Sequence, residues 1–227
     1  MDIKNNFFNI QQRIKAACAR CGRNTSDVKT VVVTKTVQVP AIQEVIEAGA
    51  TIIGENRIQD AWSKYEQIGP QVSWHLIGHL QTNKVKKAVQ IFDVIESVDS
   101  LHLAEEIDKR AKEAGKLMDI FVQVNTSGEK SKFGLHPEDV ESIVNQITLL
   151  KNIRITGLMT IGAFLPDPEK VRPCFRQLYT LREDINNKNK TLNIAHLSMG
   201  MTNDFEVAIE EGATLIRTGR AVFGERN

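Results

Sequence analysis

Thr30-Val31-Val32-Val33-Thr34-Lys35 is the stretch on which the fold turns. Three consecutive valines between threonines form a β-branched run without polar alternation, the pattern of a strand covered on both faces. Such strands belong to parallel sheets sandwiched by helices. The residues that follow agree. Pro40 to Ala48 reads as an amphipathic helix that Pro40 opens and Gly49 closes, and a second apolar strand is expected near 51–54.

Outward from this βα unit the same alternation recurs. A helix is expected ahead of it over residues 3–20, stopping at Cys21-Gly22. Further strands are expected near 73–77, 91–96, 118–125, 153–158, 193–197 and 213–217, with helices near 56–67, 82–89, 100–115, 137–148, 168–187 and 203–211. Gly49, Gly115 and Gly212 each stand where a helix gives way to a strand. Regular βα alternation predicts parallel pairing and right-handed crossovers. Eight such strands favour an α/β fold of the closed (β/α)8, TIM-barrel type with an extra N-terminal helix, as one domain over residues 1–227. An open doubly wound sheet would carry a GxGxxG turn after its first strand, and none is there.

Composition narrows the partners. The 29 basic and 28 acidic residues leave a formal charge of +1, which gives no footprint for nucleic acid or an anionic membrane. The start, Met1-Asp2-Ile3-Lys4-Asn5-Asn6, does not read as a signal peptide, and no apolar run approaches the roughly 20 residues of a membrane span. Three cysteines, Cys18, Cys21 and Cys174, are an odd number that argues for a reducing, cytoplasmic setting. Cys18-Ala19-Arg20-Cys21 is formally a CxxC, but no second pair completes a zinc site and no strand precedes it as in a redox motif, so it reads as two incidental cysteines at a helix end.

In a parallel barrel the site lies where strand C-termini open into loops. Polar residues and glycines concentrate at those ends: Lys35, Gly54-Glu55-Asn56, His75 and Gly78, Glu96-Ser97, Asn125 to Gly128, Met159-Thr160, His196 to Met201, and Arg217 to Arg220. Lys35 follows the valines and is expected at the mouth of a dry barrel. There a lowered pKa would make its amine a nucleophile toward aldehydes. Ser198-Met199-Gly200 and Gly219-Arg220 read as small-residue loops that lead into helices and cradle an anion with backbone N–H groups. Barrels often hold phosphate at this pair of strands. Amine and anion site together specify an aldehyde at one end of a ligand and a phosphate at the other. Pyridoxal 5′-phosphate (PLP) and a phosphorylated sugar both meet that description. His75, His79 and His196 have no carboxylate at ligand spacing, so pocket lining or hydrogen bonding is expected of them rather than a metal site.

At these positions the chain resembles the pyridoxal phosphate homeostasis protein family. The likeness is carried in order by Val33-Thr34-Lys35-Thr36, Gly54 to Gln59, Trp74 to Lys84, Val124 to Lys132, Gly157 to Ile161, Leu197 to Phe205 and Arg217 to Gly224. It implies a PLP barrel similar to the alanine racemase N-terminal domain (fold type III). Lys35 would then carry the Schiff base. Ser198, Gly200, Gly219 and Arg220 would hold the phosphate, mostly through backbone N–H. Arg217 would face the pyridine nitrogen, and Asn56, His75 and Met199 would wall the pocket. Where many members have Ser or Thr, this chain has Arg220, which puts a side-chain hydroxyl contact to the phosphate in doubt.

The resemblance also implies a role. An arginine does not give up its proton, so it leaves the pyridine nitrogen unprotonated and the ring a poor electron sink. Alanine racemase adds a tyrosine base from a second, all-β domain. That domain is not expected here, because the chain ends shortly after its last strand. Tyr65 and Tyr179, the two tyrosines, fall in expected helices. Intracellular PLP binding, buffering and delivery is the implied function, without efficient catalysis, by a monomer, with PLP-requiring apoenzymes as possible partners. A PLP-dependent amino-acid racemase is the alternative and would need a second acid/base opposite Lys35. A Schiff-base aldolase would be trapped at Lys35 by a carbonyl substrate instead of PLP. A plain interaction module would leave the lysine and the glycine turns without a purpose.

Overall fold

The β-branched run forms β1 (Lys29–Val33), and seven further strands follow it: β2 (Ile52–Glu55), β3 (Ser73–Leu76), β4 (Val94–Val98), β5 (Met118–Gln123), β6 (Ile153–Met159), β7 (His196–Met201) and β8 (Leu215–Thr218). The coordinates are a computed structural model that describes residues 2–224. Residue 1 and residues 225–227, the two ends of the expected 1–227 domain, lie outside the described residues. Every strand pairs in parallel with its sequence neighbour, and β1 pairs with β8 through Lys29↔Leu215 and Val31↔Arg217, so the sheet closes. The closed barrel rules out the open doubly wound sheet.

Helices α1 (Ile3–Cys21), α2 (Val39–Glu47), α3 (Ile58–Ile68), α4 (Val85–Ile91), α5 (Leu101–Glu113), α6 (Val140–Ile147), α7 (Arg172–Lys188), α8 (Phe205–Glu210) and α9 (Arg220–Phe223) surround it. None of the described helices is long and apolar enough to cross a membrane. Strand alternation sends Val32, Ile53, Trp74, Leu76, Ile95 and Leu197 outward into one continuous layer under the helices. Val31, Ile52, Phe121, Met159 and Leu215 point inward and fill the barrel, which is a packed core and not a pore.

The extra N-terminal helix buries Ile3, Phe7, Ile10, Ile14, Ala17 and Cys18 along one stripe. It stops at Gly22, whose φ of 70° lets its amide reach Cys18 O, the usual left-handed end of a helix. Asn6 Nδ2 donates to Val222 O at 3.0 Å, and Arg23 Nη1 donates to Ile209 O and Ala213 O at 2.7 and 2.8 Å. These bonds tie α1 and its exit to the α8–α9 end of the chain. Cys18 is buried in that packing and the Cys21 thiol donates to Ala17 O, so the CxxC is built into the helix end.

Several expected boundaries shift. The fourth strand was expected from residue 91, but α4 continues to Ile91 because Val85, Ala88, Val89 and Ile91 bury one helical face. The seventh strand was expected over 193–197 but begins at His196, since the Asn186 side chain binds both Ile194 N and Ile194 O and takes them out of the sheet. It runs on to Met201, so Ser198-Met199-Gly200 is strand and not the expected loop.

Candidate functional site

A cavity of about 500 Å3 opens at the C-terminal rim of the barrel. Lys35, Asn56, Arg217, Gly219 and Arg220 all line it, with Asp204 and the loop residues Ile161, Ala163, Phe164 and Leu165. Five of the nine expected site residues therefore meet at one surface. Phe164 is 76% exposed and, with Ile161 and Leu165, gives the rim an apolar lip. Lys132 Nζ donates to Gly162 O at 2.7 Å and ties the loop after β5 to this lip.

Lys35 is not the last residue of a dry strand. β1 ends at Val33, Thr34 is buried, and Lys35 sits exposed on the turn beyond it. The expectation of an amine in apolar surroundings is corrected: the side chain lines the cavity from its solvent side. Val37 N donates to Thr34 O at 3.0 Å, which closes a turn around Lys35 and Thr36. Thr36 occupies the left-handed region at φ 61°, where a β-branched residue is rare.

Below the cavity the barrel interior holds a polar chain that the valine-rich strands did not announce. His75 Nδ1 is 2.6 Å from Glu96 Oε1. Ser198 Oγ donates to Glu96 Oε2 at 2.5 Å and accepts from Arg217 Nη1 at 2.7 Å. Arg217 Nη2 donates to Thr160 O at 2.7 Å. Burial pushes the Glu96 carboxyl up, but the His75 hydrogen bond and charge, the Arg217 charge and the Ser198 hydroxyl outweigh it, so the group is held below the usual carboxylate range. Burial lowers the Arg217 value, opposed by Glu96 and Asp204. Asp204 is pushed up by burial, although it accepts from Met201 N at 2.6 Å.

Several expected roles are revised. His75 is buried among the inward side chains and bound to Glu96, and does not line the cavity. The Ser198 hydroxyl is committed to Glu96 and Arg217, and its backbone lies within β7, where its carbonyl accepts from Thr160 N, so Ser198 does not line the cavity. Met199 alternates with Ser198 and packs outward in the layer under the helices, so its side chain is no pocket wall. Gly200, at φ 89°, is required by close approach: a Cβ there would stand 2.5 Å from Ala208 Cβ. Gly219 is the residue that opens α9. His75 and His196 both pack on Phe121, and His79 lies elsewhere on the rim. His79 pairs with Asp99 at 3.3 Å and stacks on Phe133, and His196 lies against Phe121 with its value lowered by burial, Lys29 and His75.

Glu96 and Asp204 were missed as site residues. Glu96 had a legible signal, a carboxylate inside the apolar strand Val94-Ile95-Glu96-Ser97-Val98 at a position alternating with the outward Ile95. Asp204 had none, because its place on the cavity depends on the turn from β7 into α8.

Comparison with known proteins agrees with this architecture. Residues 6–227 match the family model described as alanine racemase, N-terminal domain. An alanine racemase of Clostridium difficile shares the fold at TM-score 0.78 with 15% identity, over 99% of this chain and 57% of that one. PipY of Synechococcus elongatus, solved with PLP bound, is 35% identical with TM-score 0.83 over 95% of this chain and 100% of that one. The pyridoxal phosphate homeostasis protein of Aquifex aeolicus is 43% identical over 96% of this chain and 95% of its own length. With that identity along nearly the whole length, this chain belongs to the pyridoxal phosphate homeostasis protein family, built on the alanine racemase N-terminal barrel.

Proposed function

We propose that the chain binds PLP at the rim cavity as a Schiff base on Lys35 and serves PLP homeostasis as a cytoplasmic, monomeric carrier rather than as an efficient enzyme. One observation carries the reading: a single cavity brings together an amine at Lys35, a buried guanidinium at Arg217 and a glycine turn at Gly219-Arg220. Those are the groups an aldehyde, a pyridine nitrogen and a phosphate would need. The PLP-bound structure of PipY and the names of the relatives support the same reading.

When bound, PLP supplies an aldehyde that condenses with an amine and a ring able to draw electrons from an attached carbon. The protein residues set how far that ability is used. Lys35 would provide the amine. The backbone of Gly200, next to the irregularity in the β7–β8 pairing, and of Gly219, with the Arg220 side chain, would hold the phosphate, and Asn56 would line the ring. Arg217, oriented by Ser198 Oγ and Thr160 O and charge-balanced by Glu96, would face the pyridine nitrogen. A guanidinium keeps its proton, so it donates there without protonating the ring. His75 would act from below, by fixing Glu96. Delivery to PLP-requiring apoenzymes would follow from the open rim.

The racemase alternative has one observation in its favour. Asp204 is a carboxyl on the cavity wall whose value is pushed up. Its Oδ1 already accepts from Met201 N, which assigns it to holding the turn into α8.

The test is borohydride reduction after incubation with PLP, followed by peptide mass mapping. A phosphopyridoxyl mass on Lys35 is expected. No adduct under excess PLP would remove the reading and bring a carbonyl-substrate aldolase forward. Amino-acid turnover by the loaded protein would decide between carrier and racemase.

A further inference from the structure

We infer that Glu55 and Lys64 are positioning residues for Lys35, acting through Thr34 to hold the turn that presents the lysine to the cavity; the inference rests on the proposed role of Lys35. Lys64 comes from α3, is 8% exposed, and sends its Nζ to Glu55 Oε1 at 2.6 Å and to Thr34 O at 2.7 Å. Glu55 ends β2 and is fully buried. Thr34 Oγ1 donates to the same Glu55 oxygen at 2.6 Å, and Thr34 N donates to Gly54 O at 2.9 Å. With Val37 N also on Thr34 O, every polar atom of Thr34 is held.

Stability does not account for this arrangement. A buried ion pair gains little over apolar residues of the same size, because removing both charges from water offsets their attraction. Glu55 Oε2 is buried and has no protein hydrogen-bond partner among the described residues, so the carboxylate is not there to complete a fully bonded network. Geometry gives the reason. A turn closed from Val37 N to Thr34 O with positive φ at its third residue ordinarily takes Gly or Asn there, yet this chain has Thr36 at φ 61°. Local sequence therefore does not choose the conformation, and the surroundings must impose it. The clamp on Thr34, one residue before Lys35, is the contact that can do so from α3 and β2 together. The Lys64 amine is thereby enclosed against Glu55 and Thr34, while Lys35 lines the cavity.

The experiment compares the parent with two variants. One is the double variant Glu55→Leu with Lys64→Met, which removes both charges together and is expected to melt cooperatively. The other is Thr34→Val, which keeps the ion pair and removes only the hydroxyl. Two readouts are taken: the second-order rate of PLP adduct formation at Lys35, by absorbance and by borohydride trapping, and the Kd of 4′-deoxypyridoxine 5′-phosphate, which has the phosphate and ring but no aldehyde. The double variant should form the adduct at least tenfold more slowly and Thr34→Val about threefold more slowly, both with Kd for the analogue within twofold of the parent. Adduct formation at the parent rate in both variants overturns the inference. So does an equal loss in adduct rate and analogue binding, which would mean a general distortion of the cavity. Failure of the parent itself to form an adduct overturns the proposed role of Lys35, and is told apart by needing no variant.

Discussion

Met199 and Gly200 are neighbours in β7 that answer to different forces. Met199 fills the layer under the helices, whereas Gly200 keeps φ at 89° and leaves room for Ala208 and Phe205. Gly200→Ala adds a methyl against α8 and a side chain in the left-handed region, so it should lower unfolding free energy by about 2 kcal/mol or more, read from urea denaturation. Lys35→Ala removes an exposed side chain and should stay within ~0.5 kcal/mol of the parent. His196 gives a pH dependence. Its folded value is lowered from 6.5, chiefly by burial. Below that pH the unfolded chain takes up a proton that the folded chain refuses, so stability falls as pH drops through this window until the folded value is reached. His196→Gln should lose less melting temperature than the parent between about pH 7.5 and about pH 5.5, the span of an ordinary histidine titration. An equal loss in both would place the effect elsewhere. Strand-end position alone pointed to Lys35 and to the Gly219-Arg220 turn, whereas the roles expected of Asn56 and Arg217 came from the family resemblance; all five line the rim cavity. Side-chain facing within a strand is legible only once its register is known, which is why Met199 was placed on the wrong side.

Elements with strong periodicity were legible almost to the residue. The stripe Ile3, Phe7, Ile10, Ile14, Ala17 repeats at helical spacing and ends at a glycine, so α1 could be drawn from the sequence. What could not be read were endings set by side-chain contacts across a loop. Asn186 on α7 decides where β7 begins, through bonds to the backbone of Ile194 just beyond the helix. The buried chain from His75 to Thr160 crosses β3, β4, β7, β8 and the end of β6, and no single segment records it. At this scale Ile14→Ala tests the role of α1. Ile14 is fully buried against the rest of the core, and its truncation should cost about 2–5 kcal/mol with an unchanged denaturant slope, since the same surface is exposed on unfolding.

For the molecule as a whole, a ligand that binds only the folded barrel raises its melting temperature by mass action. Excess PLP should therefore raise the melting temperature of the parent. It should raise that of Lys35→Ala by a smaller amount, because the contacts proposed at Arg217 and Gly219 remain when the amine is gone. Calorimetry at fixed protein concentration checks both, and no rise in the parent would count against the cavity as the binding site.

The barrel is stoppered from within by Val31, Ile52, Phe121, Met159 and Leu215, and the rim cavity is open on the other side. A ligand held there as proposed would arrive and depart by the rim. A newcomer could not push the occupant out through the far end, so exchange at the proposed site would be a queue: one molecule leaves before the next is admitted. The rate of release would then stay flat as free ligand rises, the behaviour expected of a reservoir that empties at its own pace.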